Sequence, residues 1–141
     1  MIGRGKSRKK SRSARVDTVI GKTTSVKGDL SFAGTLHVEG TIIGNVRSEN
    51  DEASTLILDE DGLIQGDVDV ANIIVNGAIE GDIFARGHAE LLAKARIKGT
   101  VYYNLIEMAV GSEVNGNLVH RSEEPMASVE YLETGQSGEQ G

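Results

Sequence analysis

The sequence contains no cysteine, which excludes a disulfide framework, a zinc–thiolate centre and a cysteine nucleophile. Aromatic residues are almost as scarce. Phe32, Phe84, Tyr102, Tyr103 and Tyr131 are the full set, too few for a base-stacking platform or a sugar-binding groove. There is one proline, and no apolar run approaches the roughly 20 residues of a transmembrane helix. The N-terminal stretch is basic but has no apolar segment after it, so it does not read as a secretory signal, and a cytoplasmic location is expected. No Gly-x-Ser-x-Gly is present. Gly5-Lys6-Ser7 imitates the end of a phosphate-binding loop, but the first glycine of that motif would precede Met1, so no nucleotide site is expected.

Charge is abundant but unevenly placed. Residues 1–16 carry seven Lys or Arg and no acid, residues 17–121 carry eight bases and sixteen acids, and residues 122–141 carry five Glu and no base. This divides the chain into a basic arm (1–16), an acidic body (17–121) and an acidic tail (122–141). Both ends lack apolar periodicity and are expected to be disordered. Three readings of the arm stay open. Arg4, Lys6, Arg8, Lys9, Lys10, Arg12 and Arg15, with Met1 and Ile2 as a small apolar tip, suit the anionic inner face of the cytoplasmic membrane. The same charges suit non-specific nucleic-acid binding, or docking against the acidic body.

Glycine is plentiful, with 18 residues, and much of it is periodic. An aliphatic residue, any residue, glycine, a small polar residue and another aliphatic residue recur six times. The copies are Val26-Lys27-Gly28-Asp29-Leu30, Ile42-Ile43-Gly44-Asn45-Val46, Ile64-Gln65-Gly66-Asp67-Val68, Ile79-Glu80-Gly81-Asp82-Ile83, Ile97-Lys98-Gly99-Thr100-Val101 and Val114-Asn115-Gly116-Asn117-Leu118. The glycines are separated by 16, 22, 15, 18 and 17 residues. Each copy is too small to bury an apolar face alone, so the copies must stack. A coil of this length in strand geometry is one turn of a three-sided parallel β-helix, giving an all-β, single-domain fold of about six windings.

Side chains alternate faces along a strand. Positions two before and two after each glycine are therefore read as inward columns, and so is the position eight before it (Ile20, Leu36, Leu58, Ile73, Leu91, Met108). All are aliphatic or Met. Lys22 shares the inward phase in the first copy. Four before the glycine stand Thr24, Gly40, Gly62, Gly77, Ala95 and Ser112, all small, as at a corner. The Asp, Asn or Thr after each glycine reads as a turn former bonding its local backbone. Arg47–Ser54 is polar, breaks the pattern, and reads as a loop bulging from one coil. Ile43, Ile74 and Leu92 should point outward as a lateral apolar patch.

No convergence of catalytic groups is visible. His37, His88 and His120 are widely spaced, fall in different columns, and lack a His-x-x-x-His partner, which argues against a metal site. Asp59-Glu60-Asp61 reads as a solvated corner. A hexapeptide-repeat acyltransferase would need an aliphatic residue every sixth position; Ile64 to Val70 satisfies one step, but Asn76 breaks the next. No catalytic, metal or cofactor site is therefore expected, and no cofactor is implied.

Thr18-Val19-Ile20-Gly21, Val26–Leu30, and Val38-Glu39-Gly40-Thr41-Ile42-Ile43-Gly44-Asn45-Val46, with the later copies, resemble the bactofilins, polymer-forming bacterial cytoskeletal proteins, from about Thr18 to His120. The resemblance implies a right-handed β-helix assembling end to end into nucleotide-independent filaments. It also implies a scaffold that organises cell-wall-modifying enzymes or other envelope proteins, often held at the membrane by a short N-terminal segment. Elementary physics agrees on assembly, because a β-helix has two open ends with unpaired backbone and exposed core side chains. The expected polymer interface is Ile20, Val26, Leu30 and Phe32 at one end and Met108, Val110, Val114 and Leu118 at the other. A non-polymeric adaptor using the lateral patch is the alternative.

Overall fold

The structure, a computed structural model, describes residues 17–49 and 53–121. Within them the chain is all-β. The first coil holds β1 (Thr18–Ile20), β2 (Ser25–Lys27) and β3 (Leu30–Phe32). The second holds β4 (Thr35–Val38), β5 (Thr41–Ile43) and β6 (Val46–Ser48). The third runs through β7 (Thr55–Leu58), β8 (Leu63–Gln65) and the start of β9 (Val68–Val75). β9 then bends into the fourth coil, which continues through β10 (Ala78–Glu80) and the start of β11 (Ile83–Leu91). The fifth and sixth coils share β12 (Arg96–Met108), and β13 (Glu113–His120) closes the sixth.

All pairings between coils are parallel, and they keep register except for a shift between Ala85 and His88 of β11. They define three faces: β1, β4, β7 and the later halves of β9, β11 and β12 make the first; β2, β5, β8 and β10 lead the second; β3 and β6 lead the third. The result is a three-sided β-solenoid of about six turns. Ile42, Ile64, Ile79 and Ile97 stack on the second face, and Val46, Val68, Ile83 and Val101 on the third, all essentially inaccessible to solvent. Parallel strands packed on a common interior bury their inward side chains completely, which explains the aliphatic columns.

On the first face the expected column needs correction. The register places Ile20, Val38, Leu58, Val75, Leu91 and Met108 in one column, and Leu36, Leu56, Ile73, Ala89 and Ile106 in the next. Leu36 and Ile73 thus sit one inward position earlier than a fixed offset implies. The reason is a difference in the length of the following corner. The first, third, fifth and sixth coils turn through four residues closed by backbone bonds: Thr24 N–H to Gly21 O, Gly62 to Asp59, Ala95 to Leu92, and Ser112 to Ala109. The second and fourth coils turn through Glu39-Gly40 and Asn76-Gly77 alone. A Cβ at Gly40 would overlap the carbonyl oxygens of Gly21 and Thr24, so the tight corner admits only glycine. Lys22 lies in the first wide corner, exposed rather than inward, with Nζ 3.4 Å from Asp61 Oδ2.

The repeated glycines form the corner between the second and third faces, all with φ between 124° and 154°. A Cβ at Gly44 would overlap the carbonyl oxygen of Gly28 beneath it, and the same holds up the stack. After the first four of these glycines the polar residue bonds the next coil, not its own turn as expected from sequence. Asp29 Oδ1 accepts from Asn45 N–H at 3.0 Å, Asn45 Oδ1 from Asp67 N–H at 2.9 Å, Asp67 Oδ1 from Asp82 N–H at 3.0 Å, and Asp82 Oδ1 from Thr100 N–H at 2.9 Å. The expected loop over Arg47–Ser54 is also shorter than anticipated. Arg47 and Ser48 remain in β6, and Ser48 and Ser54 are buried and joined by a 2.8 Å hydroxyl bond.

Candidate functional site

The interior columns are sealed everywhere except at the ends. Leu91 and Val101 are completely buried, yet the residues stacked directly on them in the sixth coil, Met108 and Leu118, are 45% and 43% exposed. Val114 and Ile106 complete the same open layer and are half-buried. The apolar character of this end is extended by Leu105 and Val119, both exposed. Val110 is 96% exposed at the tip of the Ala109–Ser112 turn, outside the inward columns.

The opposite end is better covered. Ile20 is buried, while Val26, Leu30 and Phe32 are half-buried and pack against the core. Its strands are only three residues long, against eight in β13. The residues expected at the polymer interface are therefore sorted into two unlike layers. Ile106, Leu105 and Val119 stand outside the interface expected from sequence, because Ile106 falls outside the three columns and the other two are in the outward phase.

Backbone groups are open at both ends too. Gly28 and Leu30 N–H donate to Ile43 O and Asn45 O of the coil above, and Gly66 and Val68 repeat this toward Glu80 O and Asp82 O. Among the described residues, the equivalent donors of the sixth coil, Gly116 and Leu118, meet no further coil. The equivalent acceptors of the first coil, the carbonyls of Lys27 and Asp29, likewise meet no earlier coil among the described residues. An edge of this kind is a template for further parallel strands.

The proposed lateral residues do not form one stripe. Ile43 lies on the second face, Ile74 on the first, and Leu92 in the corner between those faces. What aligns on the first face is Val19, His37, Ile57, Ile74, Glu90 and Glu107. On the third face Phe84 and Tyr102 stack with ring centroids 4.6 Å apart and planes 3° from parallel. Arg121 lies over the Tyr102 ring at 5.7 Å, and Tyr103 meets His120 at 5.6 Å. The arm residues, Met1, Ile2, Arg4, Lys6, Arg8, Lys9, Lys10, Arg12 and Arg15, lie outside the described residues, as does the tail from 122.

The sequence profile of the Bactofilin family, described as polymer-forming cytoskeletal, matches residues 18–119. The chain belongs to the bactofilin family. Two Myxococcus xanthus bactofilins are similar to it. BacO is 26% identical over 102 residues, covering 72% of this chain and 78% of BacO. BacP is 30% identical over 116 residues, covering 82% of this chain and 47% of BacP, so this bactofilin spans less than half of that relative's length. No solved structure matches significantly. The matched span coincides with the solenoid, from the first residue of β1 to the penultimate residue of β13.

Proposed function

We propose that this bactofilin is a non-enzymatic scaffold that assembles end to end into filaments without nucleotide. The observation that carries the reading is the contrast between sealed columns and a bare last coil: Leu91 and Val101 are covered, Met108 and Leu118 are not. A second molecule stacked there would continue the aliphatic columns and give the N–H groups of Gly116 and Leu118 a partner. Fully burying one such side chain contributes roughly 1.5–3 kcal/mol. Association costs on the order of 4–15 kcal/mol in lost freedom. Several side chains from two ends are thus comparable to that cost, and the added backbone bonds tip the balance toward assembly.

The six-layer repeat also supports a structural role over catalysis. Asp29, Asn45, Asp67 and Asp82 at its corners each accept a backbone N–H of the next coil, which is an architectural use of polar side chains. The basic arm gives the polymer a means of meeting an anionic inner-membrane surface. Weak single contacts repeated along a filament bind by avidity. In that position it would recruit envelope or wall-modifying proteins.

Negative-stain electron microscopy and analytical ultracentrifugation of purified protein in nucleotide-free buffer test the proposal. Filaments are expected. A stable monomer at high concentration would instead favour the adaptor.

A further inference from the structure

The spacing of the histidines argues against metal binding, but stacking brings ligands together that spacing keeps apart. His37 and Glu39 are two residues apart, so both project from the outer side of the first face at its corner with the second. Asp59 occupies the position after Leu58, which lies directly on Val38, and its N–H bonds Val38 O at 2.9 Å. Asp59 therefore stands on Glu39, one coil above. His37 Nε2 lies 3.8 Å from Glu39 Oε2 and 3.9 Å from Asp59 Oδ2, and one donor atom from each residue falls within 4.8 Å of the others.

Two further observations separate this cluster from ordinary surface charge. His37 Nε2 is the one buried side-chain polar atom among the described residues with no hydrogen-bond partner. An orphaned, water-excluded nitrogen is costly unless something occupies its lone pair or takes its proton. The corner acids also divide their roles. Glu60 Oε1 is held by Lys94 at 3.3 Å and Asp61 Oδ2 by Lys22 at 3.4 Å, whereas Asp59 meets no lysine among the described residues and faces His37.

We propose that His37, Glu39 and Asp59 form a binding site for a borderline divalent transition ion, zinc being the fitting species. One neutral imidazole and two carboxylates match a doubly charged ion in charge. A nitrogen ligand disfavours calcium and magnesium, which take oxygen. Tetrahedral ligands at about 2.0–2.2 Å from zinc stand roughly 3.4 Å apart, so the two histidine–carboxylate separations are about half an ångström too long, and the two carboxylates, within 4.8 Å of each other, would draw together around the ion. Three protein ligands leave one position for water. The ion would join the second coil to the third on the outside of the solenoid. This site is independent of the assembly reading.

The test uses the full-length chain without an affinity tag. Cobalt(II) titration is read by visible absorption, zinc(II) titration by calorimetry, and unfolding is followed with and without zinc. One ion per chain is expected, with zinc displacing cobalt and raising the unfolding midpoint. His37→Ala and, from a separate strand, Asp59→Asn should each weaken binding at least about tenfold and abolish the zinc-dependent shift. His88→Ala, on the same face, should bind as wild type. Absence of uptake by the wild type up to near-millimolar zinc would overturn the proposal. So would equal binding by folded His37→Ala or folded Asp59→Asn, which would move the ion to other carboxylates. Should one variant fail to fold, the other still decides.

Discussion

Arg86 Nη1 donates to Asp69 Oδ1 at 2.6 Å, and Nη2 of the same guanidinium reaches Ser48 Oγ and Glu49 O, each at 3.0 Å. One side chain therefore ties the corner of the fourth coil to the third and to the base of the insertion in the second. It can do so because β11 carries an extra residue. Arg86 and Gly87 stand between Ala85 and His88, where Ala71 alone separates Val70 from Asn72 below. A bulge of this kind re-aims a side chain outward.

Arg86→Ala should lower the stability of the solenoid by about 1.5–3 kcal/mol, the range for hydrogen bonds to charged groups. Arg86→Lys should restore only a minor part, since an ammonium cannot fork between Asp69 and Ser48. Urea unfolding followed by circular dichroism gives the comparison. Unchanged midpoints in both variants would mean the guanidinium holds nothing.

The Asp/Asn series between coils stops at Thr100, which has no carbonyl or carboxylate oxygen to offer Asn117. Thr100→Asn should extend the series by one bond and stabilise the last coil by about 0.5–1.5 kcal/mol. Asn45→Ala, which removes the acceptor of a 2.9 Å bond, should cost a similar amount. Hydrogen exchange at the Asn117 amide reads the first change directly: slower exchange in Thr100→Asn is required.

Leu118→Arg or Val114→Arg places a charge in the open layer while leaving the covered columns intact. The folded signature should persist, with a change within about 0.5 kcal/mol at exposed Leu118 and a larger one at half-buried Val114, and filaments should shorten or vanish in micrographs. Filaments of wild-type length would remove the sixth coil from the junction.

Deletion of residues 2–15 removes seven basic side chains. If the arm meets anionic membranes, at about 1 kcal/mol per basic residue, co-sedimentation with phosphatidylserine vesicles should be lost while polymers survive. Retained sedimentation would place the contact on the solenoid. Salt-sensitive DNA retention by the intact chain alone would reassign the arm to nucleic acid.

Much of the architecture was legible because its causes are local and periodic. Gly44 must be glycine, since Gly28 O occupies the space of a Cβ, and Ile64 must be aliphatic, since it is sealed between Ile42 and Ile79. Where the reading failed, the missing quantity was coil length. Leu36 and Ile73 were assigned one inward position late because Glu39-Gly40 and Asn76-Gly77 turn in two residues rather than four. The His37 cluster was invisible for a related reason. Its third member, Asp59, is remote in sequence and adjacent only once Leu58 stacks on Val38. The end layer was partly legible, as Met108 and Leu118 lie in repeat columns, whereas Leu105 and Val119 follow no inward pattern.

The mixture of two-residue and four-residue corners bears on how such a chain avoids misfolding. Six nearly interchangeable coils would tolerate slippage, with each strand settling one storey too high or too low at little loss of aliphatic contact. Unequal corners spoil that degeneracy. A chain displaced by one storey must seat a wide turn over the wrong neighbour, and it separates Arg86 from Asp69 and Ser48. The irregularities within the repeat thus act as a numbering of the storeys, and a second molecule added at an end has only one floor to begin from.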